Sequence, residues 1–313
     1  MRIPFLFVSA ITLLSASATH AQLNIIETGD GIVEYSLENA VPYDSLAPFH
    51  QSYENYPMFP GQTLFFQGKK NDASGYVDAF YTANPLKGNS KVYHVMNERV
   101  GNTSPDAVVG KYFDVLKVFC KQNSRYCLLL KEQKTGDEIY YLPSIATTNN
   151  FICIGNYEKM KQLHIGKTFY ALGKRVGLVD GNILQTTEGA EYKAVDMCVE
   201  LHDNGAFLIL EDNNGQRLKG MPYGHIVAGF VSKERLDSLI ERYGKDYGKR
   251  IAFMHISEGM SKEMLIESLG NPIKKEQTTF KGISADIWRY PEGYTIGLQN
   301  GKVISVHKSS YLW

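Results

Sequence analysis

A short pattern returns along this chain, and it limits the fold to small units built from short strands. Phe59-Pro60-Gly61-Gln62-Thr63-Leu64-Phe65-Phe66 is echoed by Val108-Val109-Gly110-Lys111-Tyr112-Phe113-Asp114-Val115. It is echoed again by His164-Ile165-Gly166-Lys167-Thr168-Phe169-Tyr170-Ala171. Each copy holds a Gly, a polar residue, then a β-prone run that opens on aromatic or bulky side chains. Downstream, Leu128-Leu129-Leu130 and Phe207-Leu208-Ile209-Leu210 lead into turns at Thr135-Gly136-Asp137 and Asn214-Gly215-Gln216. Setting Gly136 on Gly215 also brings Ile139 onto Leu218 and Pro143 onto Pro222. Self-similarity of this size signals repeated supersecondary units. Short apolar runs bounded by Gly, Asn and Asp turns make each unit a small β-barrel or β-meander. The pattern predicts three modules, over 59–107, 108–158 and 159–231, with one larger β-domain over 59–231 as the alternative.

Residues 22–58 are rich in Tyr, Pro, Asn and Ser and read as an extended N-terminal segment. Within it, Ile32-Val33-Glu34-Tyr35-Ser36-Leu37 alternates and predicts one strand added to the first module. Tyr43, Tyr53 and Tyr56 are expected to pack on the body. After residue 231 the texture changes. Ser232 is an N-cap, Leu236, Leu239, Ile240 and Tyr243 follow at helical spacing, and Gly244 is a stop, which makes 232–248 a helical linker. Ser261 caps a second helix, closed by Gly270 and Pro272. Strands follow over 285–290, 295–299 and 302–307, the last two joined by the tight turn Asn300-Gly301. Helices followed by an antiparallel sheet predict an α+β domain over 249–313.

Two resemblances add to this reading. In length, strand density and turn placement the repeats resemble bacterial SH3-like modules. Gly259-Met260-Ser261-Lys262-Glu263 and the exit Leu269-Gly270-Asn271-Pro272 are similar to the Gly-Met-Thr-Lys-Glu helix and Leu-Gly-x-Pro exit of the SmpA/OmlA, or BamE-like, family. Ile287-Trp288-Arg289-Tyr290, Tyr294-Thr295-Ile296 and Asn300-Gly301-Lys302-Val303 are similar to that family's aromatic strand and closing hairpin. The stretch 243–249 resembles the lead-in to such domains in exported proteins of Bacteroides-type bacteria. Each signature residue also has a structural reason, so the resemblance implies a fold and leaves function open. Family members that assemble outer-membrane proteins carry a lipidated Cys at the mature N-terminus. Gln22 stands in that place here, which points to a binding module instead.

Arg2, the apolar run 3–14 and the small, polar stretch 15–21 form the three-part pattern of a secretory signal cut after Ala21. The apolar run is too short to span a bilayer about 30 Å thick as a helix. A periplasmic or secreted protein with no membrane span is expected. The full chain's 33 Lys plus Arg balance 33 Asp plus Glu, and loss of Arg2 with the leader leaves the mature protein near neutral, so no long-range field draws it to nucleic acid or an anionic membrane. In an exported chain four cysteines permit disulfides. Cys120 and Cys127 flank a polar turn and are expected to face each other across a hairpin, and Cys153 with Cys198 forms the second candidate pair. The alternative is four buried thiols.

No catalytic, cofactor or metal site is expected. The chain lacks His-Glu-x-x-His, Gly-x-Ser-x-Gly and the phosphate-binding glycine motifs. A nucleophilic Cys needs a helix start or a His partner, and all four cysteines read as strand residues with no helix start after them. His50, His94, His164, His202, His225, His255 and His307 are scattered singly, without ligand spacing. Residues 211–215 read as a hairpin turn and not as a calcium loop. Tyr140 and Tyr141 alternate on one strand, so one of them is expected to face solvent and contact a ligand. The expected function is non-enzymatic binding or scaffolding in the bacterial envelope, with a peptide, a glycan or an envelope protein as partner. The alternatives are a cryptic or degraded cell-wall hydrolase and a secreted enzyme inhibitor.

Overall fold

The computed structural model describes residues 26–27, 31–49, 53–68, 79–96, 101–121, 125–143, 150–201, 205–280, 283–291 and 293–309. The expected export signal lies outside them. The protein is mainly β and its strands pair antiparallel. A first sheet contains β1 (Ile26–Glu27), β2 (Ile32–Tyr35), β3 (Thr63–Phe66), β4 (Phe80–Tyr81), β5 (Lys111–Lys121), β6 (Arg125–Glu132), β7 (Glu138–Tyr141) and β8 (Phe151–Cys153). The short helix α1 (Pro105–Val108) precedes β5, and α2 (Ile154–His164) follows β8 directly. The second sheet contains β9 (Thr168–Ala171), β10 (Arg175–Leu178), β11 (Ile183–Gln185), β12 (Glu191–Val199), β13 (Ala206–Glu211), β14 (Arg217–Gly220), β15 (Pro222–Tyr223), β16 (Ile226–Val227) and β17 (Phe230–Ser232). Two helices, α3 (Lys233–Ala252) and α4 (Lys262–Leu269), lead into a third sheet of β18 (Lys274–Phe280), β19 (Ile283–Arg289), β20 (Tyr294–Gln299) and β21 (Lys302–Lys308). No sheet closes into a barrel among the described residues.

The first two sheets follow one plan. In the first, β3 lies between β5 and β8, after which β5 passes a bulge between Val115 and Lys117 and pairs with β6, and β6 with β7. In the second, β9 lies between β12 and β17, a bulge falls between Ala194 and Asp196, and β12, β13 and β14 run on as a meander. The recurring glycine serves this bulge. Gly61 N–H donates to Val115 C=O and Gly166 N–H to Ala194 C=O, each at 2.8 Å. Both glycines sit at positive φ, 84° and 83°, a conformation that costs a side-chain-bearing residue about 1–2 kcal/mol.

The third echo does something else. Gly110 bonds Phe66 C=O at 2.8 Å and starts β5, in the same sheet as β3. The predicted boundary between 59–107 and 108–158 therefore falls inside one sheet, and the described residues of 59–231 form two sheets where three modules were expected. A Gly-polar-aromatic start looks alike wherever a strand begins. The register carried by Gly136 on Gly215 is the one that the two sheets share.

Alternation sorts each module's core. Leu64, Phe66, Phe113, Val115, Leu128, Leu130, Ile139, Tyr141 and Phe151 fill the first, and Phe169, Tyr192, Ala194, Leu208, Leu210, Leu218 and Phe230 the second. The N-terminal segment is part of the first module. Phe49 and Tyr56 are buried in its core, β2 extends β5, and Ile32 with Leu86 covers the far face of β5 and β6 over Phe119, Cys127 and Leu129.

In the last domain Ser232 Oγ accepts Arg235 N–H at 3.2 Å, opening α3, and Gly244 at φ 78° breaks that helix into two arms. Ser261 caps α4, with Met264 N–H at 3.3 Å, and Gly270 at φ 76° ends it. Asn300 and Gly301, at φ 51° and 75°, make the turn into β21. Leu239, Ile251, Met260 and Leu265 from the helical side meet Trp288, Ile296, Leu298 and Val303 from the sheet. Val231 belongs to this same core, and Tyr170 and Leu172 pack against it, so the last domain is seated on the outer face of the second module.

Candidate binding site at the junction of the two modules

The cysteines provide structure. Register pairs Cys120 with Tyr126 and Phe119 with Cys127, so neighbouring positions alternate and the two sulfurs lie on opposite faces of the hairpin. That rules out the expected Cys120–Cys127 disulfide: they flank the turn but do not face each other. Cys127 sits among Ile32, Phe119 and Leu129, and burial pushes its thiol up. Cys153 Sγ lies 3.1 Å from Tyr43 Oη, whereas Cys198 sits on β12 of the second sheet opposite Phe207. None of the four is joined in a disulfide.

Cys153 also departs from the sequence reading in a second way. It ends β8 and is the N-cap of α2, so a helix start does follow it. Burial nonetheless raises its pKa, against the lowering pull of Tyr43 and the Asn156 and Gly155 N–H groups, and the residue is only 2% exposed. Its counterpart in the second module is Ser232, which caps α3 at the same strand-to-helix transition. Cys153 thus occupies a capping position, in surroundings opposite to those that activate a thiolate.

Other candidates prove structural too. Tyr141 is 1% exposed in the first core, and Tyr140 is half-buried and packs on Phe119 with ring centroids 6.2 Å apart. His164, buried at the end of α2, meets Gly224 O at 2.7 Å, and burial lowers its pKa. Asp212 Oδ1 accepts Asn214 N–H at 2.9 Å and Gln216 N–H at 2.8 Å, binding its own turn together. No group of three or more His, Cys, Asp or Glu that could hold a metal stands among the described residues.

Glu132 does the same work in the first module, accepting Lys134 N–H at 3.0 Å and Thr135 N–H at 2.6 Å. Burial alone would raise its pKa, but the Thr135 and Lys134 bonds outweigh it and hold the carboxyl below its usual value. A depressed carboxylate stabilises the fold above its unfolded pKa of about 4.3 and loses that contribution as pH falls through the folded value. Glu132→Gln is expected to cost about 1–3 kcal/mol at pH 7. Urea titrations should show the gap to the parent protein closing as the pH is lowered below about 4.

A surface with different properties lies on the outside of β8, β3 and β5. Because Leu64 and Phe66 face the core, Phe65 faces out, and register sets Ile152, Phe65 and Tyr112 in one row. The next row is Thr63, Asp114, Lys131 and Glu138, one residue from each of four strands. At the β8 end Ile152 is 8% exposed, while Tyr112 at the other end is 46% exposed. The Phe65 and Tyr112 rings lie 4.9 Å apart at 51°. Asp114 Oδ1 accepts Thr63 Oγ1–H at 2.7 Å and Gln133 Nε2–H at 2.8 Å.

The second module forms a step beside this row. Leu201, 53% exposed, comes up to Gly110, its Cδ2 3.9 Å from where a Cβ on that glycine would stand. Tyr157 Oη–H donates to Met197 O at 2.6 Å and ties α2 to β12. Burial raises the Tyr157 pKa, and the fields of Asp196, Glu158, Cys198 and Tyr112 add to it, which groups these side chains about the phenol. In the second module the matching row is Val231, Tyr170 and Glu191, with Thr168 and Lys193 beside it. Val231 and Tyr170 are occupied by the last domain, and the position of Tyr112 is taken by an exposed Glu.

An open aromatic ring beside a carboxylate held by two donors is therefore particular to the first module. It can stack on a flat ligand and accept hydrogen bonds. The sequence reading took Tyr112 for a strand start. The alternation Tyr112, Phe113, Asp114, Val115 carries the signal that Tyr112 and Asp114 share the outer face. Compared with known proteins, the chain matches no family model, no curated protein and no solved structure.

Proposed function

We propose that this is an exported, non-enzymatic binding protein of the bacterial cell envelope, and that the junction surface is where its partner binds. The carrying observation is Tyr112, an exposed ring next to Phe65 and Asp114 where the equivalent position of the second module bears Glu191. Exposed aromatic residues at a step between packed units are typical anchors for ligands. The strand plan of both modules, with the opening strand between the long strand and the last one, supports an SH3-like reading. The capped helix 262–269 and the Asn300-Gly301 hairpin support a BamE-like reading of 249–313. The three-part leader supports export to the periplasm or beyond.

The test is a pull-down from the native envelope beside a sedimentation assay with purified peptidoglycan. The parent protein is expected to be retained specifically by one of them. Tyr112→Ala should lose at least about tenfold in retention while its unfolding midpoint stays within about 0.5 kcal/mol of the parent. Absence of specific retention in both assays would overturn the reading. Cys153 at a helix start favours the hydrolase alternative, but its burial and its contact with Tyr43 make that the weaker case.

A further inference from the structure

We infer that the ligand of the junction surface is a neutral saccharide, one pyranose ring lying on Tyr112 with its hydroxyls bonded to Asp114; this rests on the binding reading above. Three features of the surface select that chemistry over an extended peptide. First, β3 and β5 are paired on both sides where they carry Phe65, Tyr112 and Asp114, so a peptide strand finds no free backbone ladder at those residues. Recognition must come from side chains. Second, those side chains are suited to a sugar. The exposed Tyr112 ring and its neighbour Phe65 offer an apolar face for axial C–H groups. Asp114 lies one row away, and a carboxylate only accepts, through about four lone-pair sites on two oxygens. Thr63 and Gln133 both donate to Oδ1, which orients the group and leaves Oδ2 without a protein donor among the described residues. Neighbouring sugar hydroxyls are donors of the kind that make short, charge-assisted bonds to such an oxygen.

Third, the polar row carries no net positive charge. Asp114 and Glu138 carry negative charge and Lys131 lies between them. A row with no net positive field fits an uncharged pyranose, an N-acetylated one included, better than an acidic polysaccharide. Lys131 and Gln133 supply donors for a ring oxygen or an amide carbonyl. The second module has Glu191 and Lys193 in place of Tyr112 and Asp114, so of the two modules the first alone carries the pair.

The experiment is calorimetric titration of the full exported chain with the tetramer of N-acetylglucosamine, with cellotetraose, and separately with a cell-wall stem tetrapeptide free of sugar. Saccharide binding at one site per chain is expected. Tyr112→Ala and Asp114→Ala should each weaken it at least about tenfold, and Tyr112→Trp should keep it. Thermal melts of each variant separate lost binding from lost fold, and the exposed position of Tyr112 makes Tyr112→Ala the safer of the two. Saccharide binding that ignores both substitutions overturns the site. Tyr112-dependent binding of the stem peptide alone overturns the saccharide and keeps the binding reading. Failure of all three probes in titration, with Tyr112-dependent retention in the sedimentation assay, likewise overturns only the saccharide. Failure of titration and retention together overturns both.

Discussion

Gly248→Val should abolish the stability of the C-terminal domain, with a loss of more than about 4 kcal/mol. After the break at Gly244 the second arm of α3 lies back against the first, and Gly248 is the point of closest approach. A Cβ there would stand 2.5 Å from Ile240 Cα, 2.6 Å from Ile240 N and 2.7 Å from Leu239 C. These are backbone atoms, so no rotamer change relieves the clash and the arms must separate. Separation pulls Leu239 and Ile251 away from Leu265 and Trp288, which they meet in one core. Dense interiors respond to forced expansion by losing contacts on every side of the intruding group. Even Gly248→Ala should be strongly destabilising, although alanine is ordinarily the better helix former by about 1 kcal/mol. Chemical denaturation followed by Trp288 fluorescence measures the effect. A Gly248→Ala protein with the parent midpoint would mean that the arms are not in this contact.

Phe151→Ala is expected to cost about 3–5 kcal/mol and to unfold the first module as a unit. Its ring is the meeting point of segments distant in sequence. Centroid separations are 4.8 Å to Phe66, 5.0 Å to Tyr141, 5.4 Å to Phe49, 6.1 Å to Phe113 and 6.2 Å to Phe80. Several of these pairs are edge-to-face, the arrangement in which the ring quadrupoles attract. Truncation removes the ring and leaves a cavity walled by stiff aromatic side chains that cannot close over it. Because Phe49 and Phe80 belong to the N-terminal segment and to the long β3–β5 connection, both should become protease-sensitive together. Limited trypsin digestion with mass spectrometry reads this directly. Cleavage confined to one of them would show that the segment and the connection are held independently.

What could be read in advance was local. Ser232 and Ser261 as caps, Gly270 as a stop and Asn300-Gly301 as a turn depend on a few consecutive residues, and the chain carries those signals openly. The turn at Asp212 is of the same kind. Neighbourhood in space was not legible. The echo at Gly110 looked like a new module because a strand start has one local appearance whether it opens a sheet or joins one. Cys153 read as a strand residue because its strand is three residues long and hands over to α2 with no Ser, Thr, Asp or Asn at the N-cap to mark the change. Tyr140 and Tyr141 alternate as expected, but which faces were already covered depended on β2 and Leu86, placed far away in sequence. The junction surface was hidden for the same reason. Phe65 and Tyr112 become a pair only once the β3–β5 register is known.

The direct passage of β8 into α2 and of β17 into α3 bears on the whole molecule. Between the first module and the second, and again between the second and the last domain, the chain contains no spacer. Each helix is anchored in the unit that precedes it and in the one that follows, through Tyr157 to Met197 O in one case and through the core shared by Val231 and Leu239 in the other. Joints of this kind act as a gauge. A partner bound at Tyr112, as proposed, would be kept at a set distance and bearing from the four-stranded sheet of the last domain, as two marks are on a ruler.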